Sequence, residues 1–227
     1  MDCPDQARRK QRVRRGASEC IILAFVLVGV AAATILNLTC AASAQSLLLL
    51  PVASEPIQGV ERAVPIAAWM RFCQKQPQEC QTDRAQPAQI PLTPGVWATL
   101  IRVNEHVNSI ILAVTDQEHW GVVDRWDYPQ NGMGDCEDIQ LLKRKLLVEA
   151  GLPHRALRMT VVIDEQGQGH AVLMARTDRG DFILDNKRDT VLPWTKTSYT
   201  FVKRESANGS AWVALSYQAA SVVTANR

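Results

Sequence analysis

Cys136 stands in Gly134-Asp135-Cys136-Glu137-Asp138, His170 in Gly169-His170-Ala171-Val172-Leu173, and Asp185 in Leu184-Asp185-Asn186. A thiol, an imidazole and a carboxylate are the groups that thiol acyl transfer needs. The thiolate attacks a carbonyl, the imidazole takes the thiol proton, and the carboxylate accepts from the other ring nitrogen and fixes the tautomer. Cys136 is therefore the candidate nucleophile, His170 the candidate base and Asp185 the candidate orienting acid. Taken singly, each has a blander reading. A lone histidine on an apolar strand is usually structural, and a free cysteine is commonly an inert core residue. The acidic flanks of Cys136 make a dry core a poor setting for it, and the three groups together favour a site.

Those flanks also raise an objection. Carboxylates beside a thiol disfavour its anion. A hard divalent cation held by Asp135 and Glu137, on either side of Cys136, would remove the objection and fix the nucleophile in place. Calcium suits such oxygen donors outside the cytoplasm. Zinc does not fit: His106, His119, His154 and His170 form no His-Glu-x-x-His pair, and Cys73 and Cys80 have no second pair at zinc spacing. Gly167-x-Gly169 is a turn and not a nucleotide loop, since no helix follows.

The elements that must position these groups follow from periodicity. Cys136 opens a helix expected to reach Ala150, with Ile139, Leu142, Leu146 and Ala150 as its buried stripe and Gly151 and Pro153 as its stop. A helix start favours a thiolate through its exposed N–H groups and its dipole. Upstream, a short helix over 65–76 carries Trp69 and Phe72. A longer one, capped by Thr93 with Pro94 in its first turn, runs to Val114 on Val96, Leu100, Val103, Val107, Ile110, Ile111 and Val114. Residues 116–133 read as a loop holding Trp120, Asp124 and Trp126. Beyond the nucleophile, 156–163, 170–176, 182–184, 199–203 and 211–217 are short apolar segments split by turn residues, and so strands. Helices first and an antiparallel sheet afterwards is an α+β order. The turn at Asp178-Arg179-Gly180 brings His170 and Asp185 onto adjoining strands, on one face if the register allows it.

The chain has 227 residues, and its start reads as a leader. Arg8 to Arg15 is a basic run, an apolar stretch follows from Cys20 to Leu38, and Ala42-Ser43-Ala44 is a small-x-small cleavage pattern. The expected organisation is a signal peptide over 1–44 (or an uncleaved anchor, the only membrane contact expected), a linker over 45–64 and one domain over 65–220. Without residues 1–44 the charge is 19 basic against 20 acidic residues, so there is no cationic surface for nucleic acid. Cys73, Cys80 and Cys136 then remain. Export permits a disulfide between the first two, seven positions apart, which leaves Cys136 as the free thiol.

At these residues the chain resembles the bacterial transglutaminase-like cysteine peptidases, the LapG-type periplasmic proteases. The matching pieces are Phe72-Cys73 with Pro77 and Cys80, Val107-Asn108, Asp124-Arg125-Trp126, Gly134 to Asp138, Lys143-Arg144, Gly169 to Leu173 and Leu184 to Asn186. The resemblance implies a papain-like or transglutaminase-like core with Cys136, His170 and Asp185 as its triad. It also implies calcium at Asp135 and Glu137, with Asp138 as a further ligand. It implies a periplasmic location, a large surface adhesin as substrate, and sequestration by an inner-membrane receptor for cyclic di-GMP. Arg125 stands where the family commonly has Tyr before Trp126. The expected activity is that of a calcium-dependent cysteine endopeptidase. The alternatives are a transglutaminase or amidase using the same triad, and a non-catalytic calcium-binding interaction module.

Overall fold

The computed structural model describes residues 49–209 and 211–215; the expected leader, the end of the last expected strand and the expected domain end at residue 220 lie outside them. Helix α1 spans Ala67–Lys75, α2 Pro94–Ile110, α3 Asp116–Trp120 and α4 Cys136–Glu149. The strands are β1 Glu61–Ala63, β2 Leu112–Ala113, β3 Met133–Gly134, β4 Leu157–Ile163, β5 Gly169–Thr177, β6 Gly180–Asp185, β7 Arg188–Pro193, β8 Thr200–Glu205 and β9 Trp212–Ala214.

Seven strands form an antiparallel sheet in the order β1-β9-β8-β4-β5-β6-β7. The mixed α+β order read from the sequence is the architecture found. Strand alternation gives the sheet two apolar faces. Met159, Val161, Leu173, Ala175, Phe182 and Leu184 join Trp69, Phe72, Trp97 and Leu100 of the helices in the larger core. Val162, Val172, Met174, Ile183 and Phe201 form a smaller one on the opposite parity. Among the described residues no helix is long and apolar enough to cross a membrane.

α2 begins where its cap predicts: Thr93 Oγ1 accepts from Val96 N at 3.2 Å and Pro94 fills the first turn. It ends four residues before Val114. Leu112–Ala113 leave the helix to pair in parallel with Met133–Gly134, so the apolar run past Ile110 continues as strand. The segment expected as loop contains α3, whose five residues are too few for a period. Its signal is a capping box, in which Thr115 and Glu118 bond each other's backbone N–H. β7 lies in a stretch to which the sequence reading assigns no element, with Asp189 and Thr190 exposed at the sheet edge. Part of the expected linker is also structured: β1 pairs with β9, and Ile57 is buried with its N–H donating to Asp181 Oδ2 at 3.0 Å. Gly180 (φ +109°) allows Ser54 to bond Arg179 O at 3.0 Å, because a Cβ there would lie 2.4 Å from Ser54 Oγ.

The stripe expected on α4 is only partly right. Ile139 is buried, whereas Leu142 and Leu146 are half-buried and Ala150 is exposed. The helix is enclosed on more than one side, against β5 and against α2, so Leu141, Lys143, Arg144 and Leu147 are buried as well. Arg144 answers for its charge with Glu205, Nη1 to Oε2 at 2.8 Å. Cys73 and Cys80 form a disulfide that ties the end of α1 to the turn after it.

Candidate active site

Cys136 is the first residue of α4 and is buried, with no exposed surface. Its Sγ donates to Glu137 Oε2 at 3.1 Å and receives the Ala171 N–H at 3.4 Å. The strand end bearing His170 therefore abuts the helix start bearing the thiol. Gly134 is required for this fit: a Cβ there would lie 2.8 Å from Asp138 Cβ and 3.1 Å from Pro129 Cβ.

The β5–β6 register, with Met174 opposite Ile183, puts His170 and Asp185 on the same face. His170 Nε2 meets Asp185 Oδ1 at 2.9 Å, and the pair is buried. Burial alone would lower the imidazole pKa. Its bonds to Asp185 and to Cys136 outweigh that and hold it up at about 9. With Nε2 engaged by the carboxylate, Nδ1 is the ring nitrogen left for the thiol. Asp185 is itself well held. Lys187 N donates to Oδ1 at 3.0 Å and Tyr199 Oη to Oδ2 at 2.5 Å. Burial opposes its charge, but the bonds from His170 and Tyr199 keep its pKa down at about 2. Tyr199 also packs edge-on to the His170 ring, with centroids 5.7 Å apart. The structure thus brings Cys136, His170 and Asp185 into one buried cluster.

The acidic residues divide into two groups. Asp135 and Glu137 converge with Asp116 from the start of α3, with one oxygen of each within 4.8 Å of the others. Both oxygens of Asp135 and Oε1 of Glu137 are buried without a hydrogen-bond partner. Burial, then repulsion from Asp116, pushes Asp135 up to about 7, and burial, then the neighbouring Cys136 and Asp135, pushes Glu137 well above the usual range. Asp124, with a buried and unpartnered Oδ1, adds to the repulsion on all three. Among the described residues, no ion pair reaches Asp116, Asp135, Glu137 or Asp138. Buried carboxylate oxygens with no donor are costly as protein alone and suit a hard cation.

Asp138 is not in that convergence. Its Oδ1 accepts from Asp127 N at 2.8 Å, so it organises the loop entering the helix, and burial raises its pKa to about 9. Asp116 is absent from the sequence reading, because only the fold carries it across 19 residues to Asp135. Its capping box was visible in the sequence, but the capping box speaks for a helix and not for a ligand.

The chain was compared with known proteins. The model of one family, described as bacterial transglutaminase-like cysteine proteinase, matches residues 59–220. Solved structures similar to it include a LapG of Legionella pneumophila, at TM-score 0.45 and 30% identity over 52% of this chain and 68% of that one. The same Legionella pneumophila protein after EGTA treatment gives TM-score 0.45 and 30% identity over 52% and 67%. Its calcium-bound form gives 0.42 and 25% over 68% and 97%. Among curated proteins, none matches.

Proposed function

We propose how this chain, which belongs to the bacterial transglutaminase-like cysteine proteinases and is a cysteine peptidase, performs its chemistry: as a calcium-dependent endopeptidase with Cys136 as nucleophile, His170 as base and Asp185 as orienting acid. The observation that carries the proposal is the buried chain of contacts from Cys136 to His170 to Asp185, in which the bonds to Asp185 and Cys136 raise the proton affinity of the imidazole. His170 takes the thiol proton on Nδ1, and Asp185 stabilises the resulting imidazolium through Nε2. The thiolate adds to the scissile carbonyl, and the backbone N–H of Cys136 at the helix start is the candidate donor to the oxyanion. Protonated His170 then gives its proton to the departing amine. Water, deprotonated by the neutral imidazole, hydrolyses the thioester and restores the thiol.

Asp116, Asp135 and Glu137 would hold the calcium, since one oxygen of each converges there and those of Asp135 and Glu137 Oε1 are buried without a hydrogen-bond partner, which fits an oxygen-ligated cation. Its contribution when bound is positive charge beside a thiolate that the carboxylates would otherwise oppose. Glu137 also accepts from Sγ, so order at the acidic cluster and order at the nucleophile are linked. The reading extends to an exported, periplasmic enzyme acting on a protein such as a large surface adhesin, and held by an inner-membrane cyclic di-GMP receptor. These rest on the leader pattern and on the family resemblance. A transglutaminase or amidase would use the same acyl-enzyme, and incorporation of a labelled amine into a glutamine-bearing protein separates it from a peptidase.

One observation favours a second reading: the Cys136 thiol has no exposed surface, as a non-catalytic calcium-binding module would tolerate. Iodoacetamide labelling of the purified protein across pH 5–9, with calcium and with chelator, decides between them. Alkylation of Cys136 well below pH ~8.5, where a free thiol titrates, and its loss on chelation are the expected results. An unreactive Cys136 in both conditions would leave the binding module as the better reading.

A further inference from the structure

The buried asparagines and lysine around the Asp185 turn play no part in the chemistry above, yet they form a hydrogen-bonded network across it. Asn104 of α2 receives Lys143 Nζ at 2.8 Å and Asp185 N at 3.1 Å on its Oδ1. Its Nδ2 donates to Arg188 O at 2.9 Å and Asp189 O at 2.8 Å. Every bonding position of that amide is used, which locks its rotamer. One turn later, Asn108 Nδ2 donates to Asp185 O, Arg188 O and Asp189 Oδ1 at 3.0–3.1 Å. Two asparagines on one helix face thus hold the main chain on either side of Asp185.

Lys143 joins this turn to the nucleophile helix. It lies seven residues after Cys136, two helical turns, so the two side chains leave α4 from nearly the same side and about 10 Å apart. In the amide orientation that its neighbours require, Gln140, between them, donates to Leu184 O at 3.2 Å and accepts from Asn186 N at 3.3 Å. Stability does not account for the lysine. Lys143 is fully buried, its Nζ bonds a neutral amide oxygen, and no carboxylate lies within ion-pair distance of it among the described residues. An apolar side chain of that length would fill the space without the desolvation cost of an ammonium.

We propose that Lys143, acting through Asn104, is a positioning residue: it sets the Asp185 turn at a fixed distance from the helix that carries Cys136. His170 is thereby held between an acid and a thiol whose separation the clamp determines. The inference rests on the triad reading above.

The test compares full-length, calcium-loaded wild type with Lys143→Met and Lys143→Gln, by the pH profile of iodoacetamide alkylation at Cys136 and by thermal melting. Lys143→Met is expected to melt at or above the wild-type temperature while alkylation near neutral pH slows about tenfold or more, the scale of a small misplacement at a reacting centre. Lys143→Gln, which keeps an N–H donor one bond shorter, is expected to recover part of that rate. A Lys143→Met profile superimposable on a reactive wild type overturns the clamp and leaves the triad standing. Failure of both variants to fold also overturns it, because the bonds then serve the fold. A wild type whose Cys136 titrates as an ordinary thiol sinks the triad reading itself, and the clamp with it.

Discussion

Glu205 offers a sharp test of how this fold is held. It is fully buried at the end of β8 and accepts from three directions. Trp69 Nε1 of α1 donates at 2.7 Å, Arg144 Nη1 of α4 at 2.8 Å and Met159 N of β4 at 3.0 Å. Glu205→Gln keeps the shape, and its Oε1 can still accept from Trp69. Its amide nitrogen, however, then faces Arg144 and Met159, three donors without an acceptor between them, and the buried guanidinium loses its counter-charge. Breaking a buried pair from one side costs about 3–5 kcal/mol. Arg144 retains Glu79 O at 3.2 Å and the Glu79 carboxylate at 3.8 Å, so the lower end, about 3 kcal/mol, is expected. At about 2–4 °C per kcal/mol this is a fall in Tm of roughly 6–12 °C. Burial opposes ionisation of Glu205, but Arg144 and Arg158 outweigh it and hold the carboxyl below its ordinary 4.5. A depressed carboxylate stabilises above its unfolded pKa and loses that contribution as pH falls through the folded one. Wild type and variant should therefore differ fully at pH 7 and converge below pH 4.5. Urea unfolding at both pH values measures this. A difference under about 1 kcal/mol at pH 7 would refute the claim that this carboxylate neutralises the centre of the fold.

Other substitutions probe the site. Asp116→Asn should lower calcium affinity at least tenfold by calorimetry, and unchanged affinity would remove Asp116 from the ligand set. Tyr199→Phe removes a bond to a buried carboxylate and should cost about 1.5–3 kcal/mol in urea unfolding; no change would mean that Lys187 N and His170 suffice to hold Asp185. Gly134→Ala places a methyl against Asp138 and Pro129, and should cost about 1–3 kcal/mol while slowing alkylation of Cys136. Wild-type stability with wild-type alkylation would show that the loop yields without moving the helix.

The sequence was most legible where a local signal decided the outcome. Thr93-Pro94 opens α2 and Gly151 follows the end of α4, as capping chemistry requires. The α+β order followed from the switch of period near residue 156. Less legible was anything set by enclosure. The buried stripe read on α4 did not include Lys143 and Arg144, yet the helix is covered from both sides and buries them. β7 has Arg188, Asp189 and Thr190 in its first half, and only pairing with β6 makes it a strand. The sequence singled out Cys136 and His170 because cysteine and histidine are few, and Asp185 by its spacing from them. It missed Asp116, since ligand geometry across two elements leaves no mark in local spacing.

The sheet order also bears on how the chain folds. Residues 136–193 contribute α4 and then β4, β5, β6 and β7, with β5, β6 and β7 each pairing with the strand before it. Cys136, His170 and Asp185 all fall within this local meander, whereas β1 must find β9 from about 150 residues away. Loop closure is cheapest over short separations, so the meander is the part of the protein suited to form first, with the β1–β9 edge joining last. Amide hydrogen exchange should then be slowest in β4 and β5 and fastest at the β1–β9 edge, which can open and close without disturbing the cluster built on the meander.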